Sequence, residues 1–127
     1  MSSDKTKEII DKYIEAYNAF DIEGMVRFLH KDILFRNFSS GEVNTETNGI
    51  EEFRELAEKS TDMFSSRCQT VTDYIVIDDK AEVQIEYEGI LAVDLPNGLK
   101  AGDKIQLKGK SVFQIKENKL SLIEDYS

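Results

Sequence analysis

The sequence contains few of the residues on which disulfide bonds, metal sites and linkers depend. Its 127 residues include one cysteine, one proline, one histidine and no tryptophan. A single thiol excludes an internal disulfide bond, and one histidine with one cysteine cannot supply the ligands of a zinc site. The seven glycines are scattered and match no phosphate-binding loop. We therefore expect no metal centre and no bound cofactor, with Cys68 as a buried or half-buried filler and His30 as a surface cation without a catalytic role.

Positive charge is also scarce, and no apolar run is long. Sixteen lysines and arginines stand against 25 aspartates and glutamates, which gives a net charge of −9. This balance repels polyanions and argues against a nucleic-acid partner. The apolar runs are too short to cross a bilayer, and the polar N-terminus does not resemble a secretion signal. We therefore expect no membrane partner and a cytoplasmic location, with residues 1–127 forming one domain.

Three segments place apolar residues at helical spacing. The first covers residues 4–19. Asp21 then precedes a second apolar stripe, so we predict that it caps a shorter helix ending near residues 30–31. Asn48 and Gly49 introduce the third helix, whose apolar stripe continues to Phe64 while its glutamates face solvent.

The remaining chain alternates apolar and polar residues and predicts strands. Short polar connections between the last four strands indicate antiparallel neighbours, whereas a polar loop follows the first. Segregated helices and strands of this kind predict an α+β domain with one sheet face packed on helices. The predicted strands are residues 33–38, 68–77, 81–93, 103–115 and 120–126.

Two of these strands carry opposite charges on their polar faces. Glutamates alternate with the apolar row of residues 81–93, and lysines alternate with that of residues 103–115. The simplest interpretation is cross-strand pairing on a solvated surface. A functional basic patch is the weaker interpretation, and a dimer interface through this face is a third.

Four segments resemble the nuclear transport factor 2-like superfamily, and within it the SnoaL-like polyketide cyclases and ketosteroid isomerases. They are residues 13–21 (YIEAYNAFD), 31–33 (KDI), 48–51 (NGIE) and 109–120 (GKSVFQIKENKL). The resemblance spans nearly the whole chain. It implies a cone-shaped α+β barrel, a cystatin-like roll in which a curved, mainly antiparallel sheet wraps around three helices. It also implies an interior cavity, a homodimer formed through the sheet, and functions from isomerase or cyclase to bare scaffold.

The ketosteroid isomerase pattern transfers only in part. Its oxyanion-donating tyrosine falls on Tyr13, but its aspartate base falls on Asn37 and its protonated acid on Ser111. That mechanism requires both carboxyl groups, so steroid-type isomerisation is not expected. The SnoaL-like pattern instead suggests an acid in the last strand, Asp125. If Leu120 and Leu122 pack away from the cavity, alternation turns residues 121, 123 and 125 into it.

These considerations predict a pocket for a small apolar or cyclic molecule. Tyr13 and Asp125 are the candidate catalytic residues for proton transfer next to a carbonyl. A carrier with the same cavity, or an interaction scaffold with a filled interior, remains an alternative, because tyrosines at helical spacing often simply fill a core. The candidate substrate-binding residues are Tyr17, Phe35, Asn37, Phe53, Ile85, Tyr87, Ser111 and Phe113.

Overall fold

The computed structural model describes residues 3–96 and 98–126. These residues form three helices and six strands, in the α+β arrangement that the sequence predicts. The helices are α1 (Ser3–Asn18), α2 (Ile22–Val26) and α3 (Gly49–Met63). The strands are β1 (Leu29–Ser39), β2 (Glu42–Asn48), β3 (Phe64–Ile77), β4 (Lys80–Leu91), β5 (Lys104–Lys116) and β6 (Lys119–Tyr126).

The junction between α1 and α2 is a tight pair of caps. Just after helix α1, Phe20 adopts the left-handed region (φ +58°), and the Asp21 N–H donates to the Ala16 carbonyl at 2.9 Å. The Asp21 side chain then accepts the Gly24 N–H at 2.9 Å, which confirms the predicted N-cap. A Cβ on Gly24 would lie 2.3 Å from the Asp21 carboxyl oxygen, so only glycine fits beneath this cap.

Helix α2 ends at Val26, earlier than predicted, because the following residues join the sheet. Leu29 pairs with Leu120, and the Leu120 N–H donates to the Phe28 carbonyl at 2.8 Å. His30 therefore lies in β1 and is 4% exposed. The prediction of a surface position is therefore wrong, and Nδ1 of His30 accepts the Asp32 N–H at 3.1 Å.

The six strands form one open, mixed sheet in the order β2-β1-β6-β5-β4-β3. Four neighbouring pairs are antiparallel, and β1 and β6 are parallel. Strand β2 lies where the sequence suggested a polar loop. Its residues are mostly exposed, so the sequence shows no apolar alternation from which the strand could be predicted. The strand forms through its pairing with β1.

One sheet face packs against the helices and holds the core. Helix α1 covers β3, and α3 covers β1 and β2. Inward side chains from four strands, Ile33, Val83, Phe113 and Ile123, are at most 1% exposed. Within residues 3–96 and 98–126, no helix combines the length and apolar character needed to cross a membrane.

The opposite face carries the predicted charge pairs. Lys104 binds Glu88 at 2.8 Å, and two further Lys–Glu pairs of β5 and β4 lie at 3.3 and 3.8 Å. All six side chains are more than a third exposed, so each pair adds only tenths of a kcal/mol, roughly, to stability. Cys68 pairs with Glu88 on this face and is exposed, so the expectation that it is a buried or half-buried filler is wrong.

Candidate functional site

Two adjoining clefts open between the helices and the inward sheet face. The helix-side cleft has a volume of about 350 Å³ and is lined by residues of all three helices and of β1, β2, β3 and β6. The sheet-side cleft, about 240 Å³, is lined mainly by β4 and β5. Tyr17, Asn37 and Asp125 line both clefts, so these three residues form the boundary between them.

A row of three polar residues crosses the sheet at this boundary. Asp125 on β6 pairs in register with Asn37 on β1 and with Ser111 on β5. The Ser111 hydroxyl donates to Asp125 Oδ1 at 2.6 Å. The Asn37 amide donates instead to Asn44 at 2.9 Å. A single carboxyl group therefore lies between the two positions that the ketosteroid isomerase pattern assigns to carboxyl groups.

Burial makes Asp125 a weaker acid than an exposed aspartate. Loss of hydration is the largest effect, and the Ser111 hydrogen bond opposes it, with the result that the pKa of Asp125 rises from 3.8 to about 6. Such a carboxyl group is mostly ionised at neutral pH but retains appreciable proton affinity. It has the properties of a general base operating near neutrality.

Tyr13 provides a hydroxyl in the helix-side cleft. The residue is 5% exposed, and its ring contacts those of Phe53 and Phe113 at centroid distances of 6.5 and 6.1 Å. Burial first, and then the charge of Asp125, raises the pKa of Tyr13 well above its ordinary value. Its hydroxyl makes no hydrogen bond to any residue the structure describes, so the proton is available to a ligand oxygen.

Tyr17 and Tyr87 form the next contact along the boundary. Their hydroxyls lie 3.4 Å apart, and their rings meet at a centroid distance of 6.4 Å. Burial first, and then the neighbouring Tyr17, raises the pKa of Tyr87. The Tyr87 phenol therefore remains a neutral donor and acceptor at physiological pH.

Arg67 is the buried cation of the helix-side cleft. It is 5% exposed, and its guanidinium lies over the Tyr17 ring at 3.7 Å and over the Phe20 ring at 4.6 Å. Nε donates to the Tyr17 carbonyl at 3.1 Å and Nη1 to the Ser60 hydroxyl at 3.0 Å. Nη2 is shielded from water and has no hydrogen-bond partner among the described residues.

Comparison with known families assigns the chain. A family model for the SnoaL-like domain matches residues 10–123. The chain belongs to the SnoaL-like domain family. The match includes Tyr13, Asn37, Arg67 and Ser111, and Asp125 lies just beyond its end. No curated protein sequence matches this SnoaL-like domain significantly.

Several solved structures share this fold. A candidate polyketide cyclase from Xanthomonas campestris pv. campestris superposes with a TM-score of 0.78 at 17% identity, over 98% of this chain and 90% of that chain. IdmH, a candidate polyketide cyclase from Streptomyces antibioticus, gives 0.78 at 13% identity, over 94% and 89%. An uncharacterised cystatin-fold protein from Novosphingobium aromaticivorans gives 0.77 at 19% identity, over 94% and 96%. These superpositions show the fold of the SnoaL-like domain.

Nearly all the predicted site residues lie on the clefts of this SnoaL-like domain. The exception is Phe113, which is 1% exposed and packs edge-on against Tyr13 in the core, where it lines neither cleft. What the lining residues do chemically stays a prediction. Tyr13, Phe35 and Phe53 line the helix-side cleft, Ile85, Tyr87 and Ser111 line the sheet-side cleft, and Tyr17, Asn37 and Asp125 line both.

The last strand departs from simple alternation. Its register with β5 is irregular between Gln114 and Ile115, where Leu120 and Leu122 pair. Leu120 consequently lies in the core at 0% exposure, and Ser121 donates to the Gln114 carbonyl. The expected inward direction therefore holds for residues 123 and 125 but not for Ser121.

Sequence reasoning missed Arg67, although a signal was present. The apolar pattern predicts a third helix up to Phe64 and a strand from Cys68. Arg67 therefore falls in the predicted connection between them. In the structure Arg67 pairs with Gly89 and Gln69 pairs with Tyr87, so both face inward beside the apolar row of β4. Extending the alternation of residues 69 and 71 backwards by one step predicts a cation on the inward face of the SnoaL-like domain.

Proposed function

We propose that this SnoaL-like domain binds a small, largely apolar molecule carrying a carbonyl group and moves a proton next to that carbonyl. The observation that carries the proposal is the Asp125 carboxyl group. It lies at the boundary of both clefts, accepts the Ser111 hydroxyl at 2.6 Å, and has a pKa raised to about 6 by burial. Aromatic and aliphatic side chains surround it, the usual construction of a small-molecule site.

In the proposed reaction, the Asp125 carboxylate takes a proton from the carbon next to the ligand carbonyl. The electrons of that C–H bond form an enolate, whose oxygen accepts a hydrogen bond from the neutral Tyr13 hydroxyl. If the ligand carries a C=C bond conjugated with this enolate, protonated Asp125 returns the proton to the far carbon of the conjugated system, which shifts the double bond and gives an isomer. Alternatively, the enolate carbon attacks a second carbonyl and Asp125 protonates the new alkoxide, which closes a ring.

Ser111 has a positioning role in this scheme. Because its hydroxyl proton is already donated to Asp125 Oδ1, it holds the carboxylate and is not the donor to the developing oxyanion. The Tyr13 hydroxyl makes no hydrogen bond to a described residue and can donate its proton to the oxyanion. Two structural neighbours are candidate polyketide cyclases, which supports ring closure of a polyketide-like substrate over other outcomes.

Deuterium exchange tests the proton transfer without knowledge of the natural substrate. The probes are 2-tetralone and a panel of mono- and bicyclic ketones in D₂O, with exchange at the α-carbon followed by NMR. We expect the wild-type protein to accelerate exchange, with a rate that rises with pH through about 6. Asp125→Asn should abolish the acceleration, and Tyr13→Phe should reduce it roughly a hundredfold. Asp62→Asn, an exposed aspartate near the end of α3, is the matched control.

A carrier is the second candidate, because both clefts offer volume and hydrogen-bond partners without requiring chemistry. Thermal shift with the same ketones separates the two functions, since a ligand that binds only the folded state raises the melting temperature. Binding without accelerated exchange, equal in wild type and Asp125→Asn, would identify a carrier. Absence of both binding and exchange across the panel would favour the scaffold.

We also propose a cytoplasmic location. The exposed Cys68 thiol has no disulfide partner in the chain and is most stable in a reducing compartment. Cell fractionation with a tagged full-length chain tests this. Recovery in an oxidising compartment would reject it.

Association of two copies through the outer sheet face is likewise a proposal. On this face Phe38 and Tyr126 stack at a centroid distance of 4.5 Å, beside the charge pairs of β4 and β5. A self-complementary surface with aromatic and paired charged groups suits an isologous dimer. Sedimentation equilibrium should give twice the chain mass, and a monomer at tens of micromolar would contradict it.

A further inference from the structure

We propose that Arg67 is the recognition site for a carboxylate on the ligand of the helix-side cleft. The inference deepens the proposed function, because it rests on ligand binding in that cleft and names the substrate class. The Arg67 guanidinium is buried, lines this cleft, and has one nitrogen, Nη2, without a hydrogen-bond partner among the described residues. Recognition does not require that the bound molecule reacts.

The first support is the unbalanced charge of Arg67. Arg36 and Arg54 both bind glutamates, at 2.6 Å in each case, whereas Arg67 forms an ion pair with no carboxylate of residues 3–96 and 98–126. Arg67 is also the most deeply buried of these three arginines. A buried cation without a counter-ion is costly, so an anion that arrives with the ligand removes a penalty as well as adding contacts.

The second support is the unpaired donor. Nε donates to the Tyr17 carbonyl and Nη1 to the Ser60 hydroxyl, both of which are neutral acceptors. The Tyr17 ring packs against the guanidinium and holds its plane. Nη2 remains without an acceptor among the described residues. In the proposed complex, the ligand carboxylate replaces the Ser60 hydroxyl as the acceptor of Nη1. A planar carboxylate then meets Nη1 and Nη2 as a matching fork.

The third support is the distribution of charge within the cleft. Lys59 lines the same cleft, so two cations face it in a chain of net charge −9. Asp125 lines the cleft as well but makes no ion pair with Arg67 within the described residues. A ligand is therefore expected to place its carboxylate at Arg67 and its carbonyl near Tyr13 and Asp125. Small aryl or cyclic keto acids have this chemistry.

The test compares matched acids and amides. Dissociation constants of 2-naphthoate and 2-naphthamide, and of 3-phenylpropanoate and 3-phenylpropanamide, are measured by calorimetry at neutral pH and low salt. We expect each acid to bind the wild-type protein roughly ten- to a hundredfold more tightly than its amide, as for a charge-assisted hydrogen-bonded pair. Arg67→Gln should remove this preference while leaving amide affinity nearly unchanged. Arg67→Lys, which keeps the charge but not the fork, should retain part of it.

Two controls separate recognition from structural support by Arg67. Arg36→Gln removes an arginine from the outer face and should leave the acid preference intact. Urea unfolding of Arg67→Gln measures the loss of its contacts with Tyr17 and Ser60, and the Arg67→Lys and wild-type comparisons remain available if that variant fails to fold. Equal binding of acid and amide by the wild type, or an acid preference that survives in Arg67→Gln, would overturn the assignment. Ketone exchange that persists in either case shows that the proposed function stands without it.

Discussion

Replacing Asp125 with asparagine should make the protein more stable at neutral pH while removing the proposed activity. Asp125 is the only group of the inward sheet face for which burial raises a carboxyl pKa among the described residues, from 3.8 to about 6. Because the folded state binds the proton more tightly than the unfolded state does, ionisation of Asp125 opposes folding. The wild-type stability contribution of this group is therefore greatest at low pH and is lost as pH rises from about 4 to about 6.

The magnitude follows from the displacement of the pKa. A change from 3.8 to about 6 corresponds to about 3 kcal/mol between full protonation and full ionisation. The carboxyl group borders two clefts that admit water, and part of the titration lies below pH 4, so we expect about 2 kcal/mol between about pH 4 and pH 7.5. Asparagine keeps an oxygen that accepts the Ser111 hydroxyl, so the replacement removes the charge and retains the contact.

Urea unfolding of wild type and Asp125→Asn at these two pH values measures the effect. Other carboxyl groups of this acidic chain titrate in both proteins, so the difference between the two free energies of unfolding isolates residue 125. The difference should move by about 2 kcal/mol in favour of the variant as pH rises. The exposed aspartate of Asp62→Asn provides the control, for which the same difference should stay within about 0.5 kcal/mol.

A difference that is independent of pH would refute the reasoning about Asp125. It would mean that the carboxyl group is as well solvated in the folded protein as in the unfolded chain. A difference moving in the opposite direction would mean that a cation compensates the carboxylate in the folded state. Either result would also remove the physical basis for treating Asp125 as a base matched to neutral pH.

Three further predictions concern neighbouring residues. Ser111→Ala removes the hydrogen bond that lowers the pKa of Asp125, so the carboxyl carbon should titrate above pH 6 by NMR, with Ser121→Ala leaving it unchanged. Phe113→Ala should lower the free energy of unfolding by about 3–5 kcal/mol in urea, because a ring that is 1% exposed leaves a cavity; a loss below about 1 kcal/mol would contradict its core position. Lys108→Gln should cost less than about 0.5 kcal/mol by the same assay, because the lysine side chain is 86% exposed in its pair with Glu86.

Most of the fold was predictable because the core residues repeat at regular intervals. The alternation of β4 and β5 fixed their inward and outward faces, and the charge pairs followed from it. The failures arose where tertiary pairing overrides local pattern. Strand β2 has no apolar alternation and forms through its pairing with β1. Helix α2 ends where it does because Leu29, three residues later, pairs with β6.

The candidate site was predictable to the level of lining residues. Asn37, Ser111 and Asp125 occur at positions that alternation turns inward, and the structure brings them into one row. The hydrogen-bond partners of their polar atoms were not predictable, because hydrogen bonds such as that from Ser111 to Asp125 depend on strand register. Arg67 was missed for a simpler reason, since the strand that carries it begins earlier than its apolar pattern suggests.

Strand β6 joins two half-sheets that share no hydrogen-bonded pairing with each other in the described part of the chain. Strands β1 and β2 lie on one side, and β5, β4 and β3 on the other. Asn37 belongs to the first half-sheet, Ser111 to the second, and Asp125 to the joining strand itself. A slip of β6 by one residue would turn Asp125 to the outer surface and part the other two from it. The relative positions of these three polar side chains thus depend on the register of the eight-residue strand β6 with β1 on one side and β5 on the other.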